Sequence, residues 1–289
     1  MAQSGPIAAT LIGIDRQGKI DNPWRARAAM GFCFRASGEY NDVRGGRGCG
    51  YCRVGAAIMS DFDWEALYTE YVQATKLGDK ARVEELVVAA RSILADRDLK
   101  DLSWLQSALK HEHRKWFVAL ALRKATNMPA LLILPMIYTA VNQPDPSTPG
   151  SFIEPLMRCF GPRSVNLALL HILANGTDQE KCGASYSLYW GRVLVGRNGI
   201  SNDPMDDVWD QKRSLMLRTF MENEDVYLRR SVLAQLSFDE AKYPEDLKPL
   251  LPEAIRIARA HPDEYIRHRI EIQLGEGNGL HLPLPDRER

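Results

Sequence analysis

Apolar side chains recur at helical spacing from Trp64 towards the end of the chain. The first group follows the i, i+3, i+4, i+7, i+8 pattern of one helix face, at Trp64, Leu67, Tyr68, Tyr71 and Val72. A second stripe runs from Val83 to Leu94, and Asp79 is predicted to cap it. The same pattern predicts further helices near residues 101–109, 111–126, 129–142, 151–160, 162–175, 178–194, 206–222, 224–237, 245–260 and 262–274. Since no alternating apolar and polar run predicts a strand, the predicted fold class is all-α.

Residues typical of helix ends fall at the same boundaries. Two pairs have the spacing of a capping box, in which each side chain accepts a hydrogen bond from a free backbone N–H: Ser151 with Glu154, and Thr177 with Glu180. Prolines stand where a first helical turn tolerates them, at Pro129, Pro162 and Pro262. Glycines suited to a left-handed helix end are Gly161 and Gly176. These residues support the helical interpretation independently of the apolar pattern.

Two segments near the C-terminus repeat one another. Residues 225–236 align without a gap on residues 263–274, which lie 38 positions later, with Asp, Tyr, a branched aliphatic residue, Arg and a final Leu at equal positions. Weaker copies begin at Trp116 and Pro162. Separations of 47 and 38 residues between equivalent positions bracket the period of short helical-hairpin repeats.

These repeated motifs resemble those of a known class of helical proteins. The motifs are Asp-x-x-Leu-Arg at 225–229, Asp-x-x-Ile-Arg at 263–267 and the segment 180–190. In them the chain resembles the HEAT-repeat and armadillo-like α-solenoids, particularly the short bacterial ones. The resemblance implies a right-handed superhelix of helical hairpins, a HEAT-like α-α solenoid of five to six pairs, as a repeat domain at 59–275.

Residues 1–58 differ in composition from the rest of the chain. They hold 8 Lys+Arg and 4 Asp+Glu, net +4, which leaves 29 and 33 of the 37 of each for residues 59–289, net −4. They also hold 10 of the 21 glycines and 3 of the 5 cysteines. We expect a disordered head, or translated upstream sequence with Met59 as the true start, because neither a secretory signal nor a transit peptide fits. Residues 276–289 are expected to be a flexible tail.

Few residue patterns point to chemistry. Cys49-x-x-Cys52 has the spacing of half a zinc site or of a redox pair, without the further ligands or the α/β context that these need. His111 and His113 would point about 200° apart on a helix, so they cannot share a metal ion. Established catalytic and phosphate-binding motifs do not occur in the sequence. No catalytic residue, metal or cofactor is therefore predicted, and a noncatalytic role is favoured over an enzyme.

Charge and cysteine content limit where the protein is expected to be located and what it is expected to bind. The balance of 37 basic and 37 acidic residues argues against a bulk nucleic-acid or anionic-membrane binder. No apolar run reaches the roughly 18 residues of a membrane span, so no membrane association is predicted. Cys159 and Cys182, the two cysteines after residue 58, fit a reduced protein of the cytoplasm.

The resemblance also implies a concave surface, formed by the second helix of each pair. Counted in pairs, those helices are 111–126, 162–175, 224–237 and 262–274. The candidate groove residues on them are Lys115, Arg163, Arg230 and His268. We expect a noncatalytic scaffold that binds another protein or a peptide in this groove.

The alternative is a DNA-binding protein or an alkyl-base DNA glycosylase on the same fold; a third hypothesis is a subunit that chaperones or attaches a small cofactor. The DNA hypotheses would use Trp104, Trp116, Trp190 and Trp209 with Lys115, Arg163, Arg230 and Arg267. We expect the tryptophans, Trp190 among them, to be core residues instead. Two i, i+4 ion pairs are also expected to engage the arginines, Asp225 with Arg229 and Asp263 with Arg267. With a net charge of −4 after residue 58, nucleic acid is disfavoured as a partner.

Overall fold

The computed structural model describes residues 62–95, 102–198 and 204–275. These residues contain helices and turns and no strand, so the predicted all-α class is confirmed. The expectations for residues 1–58 and 276–289 lie outside the described residues. The described α-helices are α1 (Trp64–Leu77), α2 (Lys80–Leu94), α3 (Ser103–Lys110), α4 (Arg114–Leu122), α5 (Ile133–Val141), α6 (Gly150–Phe160), α7 (Pro162–Asn175), α8 (Asp178–Asn198), α9 (Asp206–Glu222), α10 (Val226–Leu233), α11 (Leu250–Ala260) and α12 (Glu264–Gln273). Short 3₁₀ turns span Ala130–Leu132 and Glu240–Lys242.

The helices pack in two rows. The helices α2, α4, α6, α8, α10 and α12 pack each on the next, and we call this series the even row. Among the others, which we call the odd row, α1, α3 and α5 pack in succession, as do α7, α9 and α11. Consecutive helices, such as α1 with α2 and α11 with α12, join one row to the other. The long helix α8 also packs on α5, and it therefore links the two runs of the odd row.

Side chains of the even row bond to the backbone of the next helix in the row. The Ser185 hydroxyl of α8 donates to the Ser231 carbonyl of α10 at 3.1 Å. One turn earlier, the Cys182 thiol donates to the Tyr227 carbonyl at 3.8 Å. Since residues further along α8 meet residues further along α10, the two helices run parallel. A chain of helical hairpins produces this parallel stacking of alternate helices.

Four of the predicted helix-end signals are confirmed, including Pro162, which is the first residue of α7. Asp79 caps α2, because its carboxylate accepts a hydrogen bond from the Arg82 N–H at 3.0 Å. Thr177 and Glu180 form a capping box, with the Thr177 N–H donating to the Glu180 carboxylate at 2.8 Å and the Glu180 N–H donating back to the hydroxyl at 3.3 Å. Gly161 lies between α6 and α7 with a φ of 82°, a left-handed conformation that favours glycine.

Two other signals are wrong. The helix α6 begins at Gly150, so Ser151 already lies inside its first turn and does not cap it. Glu154 accepts a hydrogen bond from Arg158 one turn later, at 2.8 Å, instead of capping the helix. Gly176 has a φ of −75°, so the end of α7 is not left-handed. In each case the residue types have the spacing of a helix end, but the backbone does not have the geometry of that helix end.

Several helices are shorter than their apolar pattern predicts. The helix predicted at 111–126 covers 114–122, and the one predicted at 224–237 covers 226–233. Asp225 and Asp263 set the starts of α10 and α12, since each carboxylate accepts the backbone N–H three residues later, at 2.8 and 3.1 Å. A residue whose side chain caps a helix precedes its first turn, which explains the late starts.

Buried side chains come from both rows. Phe117 of α4, Phe152 of α6 and Phe220 of α9 are fully buried. Two helices approach closely at Gly183 of α8, where a Cβ atom would lie 2.6 Å from the carbonyl carbon of Val141 in α5. Only a residue without a side chain fits there. None of the described helices combines the length and the apolar character that crossing a membrane requires.

Candidate binding surface

Aromatic side chains are exposed along the even row. Trp116 on α4 is 37% exposed, Tyr189 on α8 is 50% exposed and Tyr227 on α10 is 38% exposed. Val88 on α2 is a further exposed apolar residue of this row. Of the six large apolar side chains that are exposed in the described part of the chain, these four lie on the even row, and Leu77 and Leu131 lie outside it. The even row is therefore the candidate binding surface.

The four residues predicted for the groove do not lie on one row. Lys115 lies at the start of α4, Arg230 on α10 and His268 on α12, all in the even row. Arg163 lies on α7, which stacks on α9 in the odd row. Counting the helices in pairs along the chain made α7 the second helix of its pair. Its packing on α9 instead makes α7 the first helix of a pair.

Arg163 is held by the neighbouring helix of the odd row. Its guanidinium donates two hydrogen bonds to the Asp207 carboxylate of α9, at 2.7 and 2.6 Å. The hydrogen bonds from Arg163 lower the pKa of Asp207. This bidentate pair joins α7 to α9, so the charge of Arg163 is already compensated.

Arg230 lies at the centre of an aromatic and acidic cluster. Its guanidinium lies over the rings of Tyr227 and Tyr265, 5.7 and 5.6 Å from their centroids. The Nε atom donates to the Asp263 carboxylate at 3.0 Å, and the two charged side chains are only 11% and 14% exposed. Burial acts to raise the pKa of Asp263, but the hydrogen bonds from Arg230 and from the Ile266 N–H outweigh it, and the pKa is lowered. This cluster ties α10 to α12 at one end of the even row.

The two ion pairs predicted within helices are wrong. The Asp225 carboxylate caps α10, and Arg229 lies over the Phe220 ring, 5.6 Å from its centroid. Asp263 pairs with Arg230 of the preceding helix, while Arg267 donates to the carbonyls of His261 and Pro262. An aspartate that caps a helix directs its carboxylate at the first turn, away from the side chain four residues later. The pairing found is between helices instead of within them.

Trp104 and Trp190 have packing roles, whereas Trp116 is 37% exposed, so the expectation that it is a core residue is wrong. Trp104 stacks on Trp64 with ring centroids 6.0 Å apart, and its indole N–H donates to Glu65 at 2.7 Å. Trp190 is half-buried, and its indole N–H donates to the Pro146 carbonyl at 2.9 Å. A Cβ atom on Gly150 would lie 2.9 Å from the Trp190 ring, so the ring fills the space beside that glycine. These contacts agree with the expected structural role of Trp190.

The candidate metal ligands do not assemble in the described residues. His111 and His113 are exposed, and the N–H of His113 donates to Nδ1 of His111 at 3.3 Å. Within 62–95, 102–198 and 204–275, no group of three or more His, Cys, Asp or Glu side chains is placed to hold a metal ion. Cys49 and Cys52 lie outside the described residues.

Tyr189 and Tyr227 are residues of the surface that sequence reasoning missed as binding residues. The repeat alignment held a signal for one of them, since Tyr227 and Tyr265 occupy equal positions in the two copies. Apolar residues at helical spacing are usually core, and exposure of one member cannot be read from spacing alone. Tyr189 follows Leu188, which is fully buried, so adjacent positions of α8 face opposite environments.

Removing the charge of Asp263 should lower the free energy of unfolding by more than removing the charge of a matched aspartate does. Asp263→Asn keeps a side chain able to cap α12 but leaves Arg230 without its counter-charge, so we expect a loss of about 1–3 kcal/mol. Asp225→Asn is the control, because Asp225 caps α10 in the same way and has no ion pair with a described residue. Urea unfolding of both variants measures the difference. Equal losses would show that the pair with Arg230 contributes nothing.

The even row thus combines exposed aromatic rings with Arg230, whose charge is paired with that of Asp263. Three of its aromatic side chains belong to three different helices of one continuous row. Compared with known proteins, the chain matches no protein-family model, no curated protein and no solved structure. Its function therefore has to be inferred from its own residues and their geometry.

Proposed function

We propose that the chain is a noncatalytic scaffold that binds another protein or a peptide along the even row. We also propose that the two rows form a right-handed superhelix of helical hairpins, as in a HEAT-like solenoid. The observation that supports the proposal best is the exposure of Trp116, Tyr189 and Tyr227 on successive parts of one row. Each repeat of such a fold contributes a few side chains to an extended binding surface.

Aromatic residues are suited to this role because they bury a large area while losing little conformational freedom. Tyr and Trp are enriched among the residues that dominate the energy of protein interfaces. The Arg230 cluster adds to this, since Asp263 and the two flanking tyrosine rings hold the guanidinium in place before a partner arrives. A preorganised surface loses less entropy when it binds.

A nucleic-acid partner is disfavoured by the state of the arginines. Two of the cations assigned to a phosphate-binding stripe, Arg163 and Arg230, are in ion pairs with Asp207 and Asp263. Binding to duplex DNA depends on cations that replace condensed counterions, and a paired arginine contributes little to that exchange. Residues 59–289 also carry 29 basic and 33 acidic residues, net −4. A cytoplasmic location fits Cys159 and Cys182, since neither forms a disulfide with another described residue.

Photo-cross-linking from single positions of the full chain tests which row binds a partner. The photoreactive residue benzoylphenylalanine replaces Tyr189 or Tyr227 on the even row, and Ser107 or Ser164, which are exposed on α3 and α7, as matched controls. Irradiated in the native host, the even-row positions should give a discrete protein adduct and the controls should not. An adduct formed only from Ser107 or Ser164 would place the binding surface on the odd row.

A duplex titration separates the two functional classes. We expect no saturable binding of a fluorescent duplex, with or without an alkylated base, at physiological salt. Tight binding with a steep salt dependence would contradict the scaffold proposal. Release of the alkylated base would replace it with the glycosylase alternative.

A further inference from the structure

A cavity of about 860 Å³ lies where four helices meet at one end of the fold. Its wall includes Tyr189 and Arg192 from α8, Lys212 from α9, residues 234–239 after α10, and Gln273 at the end of α12. The volume is that of a site for a small organic molecule. Apolar groups of Leu236 and Phe238 share the wall with the polar ones.

Lys212 is the unusual residue of this wall. It is only 5% exposed, and its ammonium makes a single described hydrogen bond, to the Leu188 carbonyl at 3.4 Å. An ammonium group has three N–H donors, so two of them have no hydrogen-bond partner among the described residues, and the ammonium lies 5.9 Å from the centroid of the Trp209 ring. Burial, and then the neighbouring charges of Arg192 and Arg213, lower the pKa of Lys212 to about 7.

No carboxylate of the described residues neutralises Lys212. Asp239 lies on the same wall, but it accepts the Ala241 N–H at 3.1 Å and pairs with Lys242 at 3.3 Å. A buried amine with no counter-charge is costly to a fold, because the charged form loses its hydration and one long hydrogen bond replaces only a small part of it. A ligand that supplies the missing negative charge offsets this cost.

Gln235 leaves an acceptor unused beside the same cavity. Its Nε2 group donates to the carbonyl of Ser185 at 2.9 Å and to the carbonyl of Ser231 at 3.4 Å, which fixes the orientation of the amide. The Oε1 atom is buried and has no hydrogen-bond partner among the described residues. Buried polar atoms are normally satisfied, so the unused donors of Lys212 point to a ligand, whereas Gln235 Oε1 is an acceptor and adds nothing to the binding of an anion.

We propose that this cavity binds a small organic acid, with its carboxylate against the Lys212 ammonium and its apolar body against Leu236 and Phe238. Arg192, which is exposed, lies on the same wall and attracts the anion towards Lys212. One buried cation matches the single charge of a carboxylate. A phosphate dianion would need more donors than Lys212 supplies. Tyr189 belongs both to this wall and to the aromatic binding surface, but recognition of the carboxylate by Lys212 does not depend on protein binding.

Calorimetric titration of the full chain with matched ligand pairs tests the proposal. The probes are hexanoate and 3-phenylpropionate, their uncharged amides, and inorganic phosphate. We expect at least one of the two acids to bind at least tenfold more tightly than its amide and than phosphate. Lys212→Met, which removes the charge and leaves an unbranched apolar side chain one atom shorter, should weaken the binding of that acid at least tenfold. Lys76→Met removes an exposed lysine at the end of α1 and should leave the affinity unchanged.

Three results would overturn the proposal. An amide that binds as tightly as its acid would show that the carboxylate is not recognised. If Lys212→Met binds the acid as tightly as the wild type does, the buried amine does not take part in binding. Absence of binding by both acids up to 10 mM, a concentration that detects even weak carboxylate sites, would show that the cavity does not take this class of ligand. Because Lys212→Met is expected to be more stable than the wild type, loss of binding could not be attributed to unfolding.

Discussion

Replacing Gly183 with alanine should destabilise the fold by more than about 3 kcal/mol, a large part of the stability of a typical domain. The added Cβ atom would lie 2.6 Å from the carbonyl carbon and 3.0 Å from the Cα of Val141, and closer still to the carbonyl oxygen. These are backbone atoms of α5, which cannot swing aside as a flexible side chain does. The helices α5 and α8 would have to separate, and the packing of α8 on its other neighbours would be disturbed.

The direction of this effect is opposite to what helix propensity predicts. In the interior of an ordinary helix, glycine to alanine gains about 1 kcal/mol. Gly78→Ala is the control, since Gly78, which follows α1, has open space around it and a φ of 70°, so that only backbone strain of about 1–2 kcal/mol is expected. Thermal and urea unfolding followed by circular dichroism compare the two. A Gly183→Ala protein as stable as the wild type would contradict the close approach of α5 and α8.

Lys212→Met is expected to stabilise the protein, by about 2–5 kcal/mol at pH 6. The pKa of Lys212 is lowered from 10.5 to about 7, chiefly by burial. Below pH 7 the lysine is charged in the folded and the unfolded chain alike, so the full penalty of burying the charge is present. Between pH 7 and 10.5 the unfolded chain binds more protons than the folded one, and the stability of the wild type therefore rises with pH.

The stability difference between Lys212→Met and the wild type should thus decrease by up to about 1.4 kcal/mol for each pH unit between pH 7 and 9. The charged groups around Lys212 are Arg192 on α8, Arg213 on α9 and Asp239 after α10, with Arg269 of α12 donating to the Ala234 carbonyl nearby. Lys76→Met, a change on the surface, should move stability by less than about 0.5 kcal/mol at any of these pH values. An advantage that does not vary with pH would show that Lys212 keeps an ordinary proton affinity in the fold.

The helices were predictable because their signals are local. The stripe from Val83 to Leu94 and the caps at Asp79 and Thr177 need only neighbouring residues to take effect, and the helices are found where these signals predict them. The pairing of Asp263 with Arg230 was not predictable in the same way. It depends on how α10 stacks on α12, a contact that no spacing within either helix specifies.

A signal for the buried lysine was present in the sequence. Lys212 lies four residues after Val208 and four before Met216, both fully buried, so it occupies the apolar face of α9. A charged residue in such a stripe is a candidate for a buried or functional group. The close approach at Gly183 had no comparable signal, because glycine within a helix also occurs for many other reasons.

The affinity of the cross-linked partner for two double variants tests the central claim most directly. One variant, Tyr189→Ala/Tyr227→Ala, removes aromatic side chains of the even row. The other, Leu77→Ala/Leu131→Ala, removes side chains that are 84% and 49% exposed at the end of α1 and in a 3₁₀ turn, outside that row. If the even row binds the partner, the tyrosine variant should bind at least tenfold more weakly, about 1.4 kcal/mol, and the leucine variant should bind as the wild type does. Unchanged binding of the tyrosine variant with loss in the leucine variant would contradict the account.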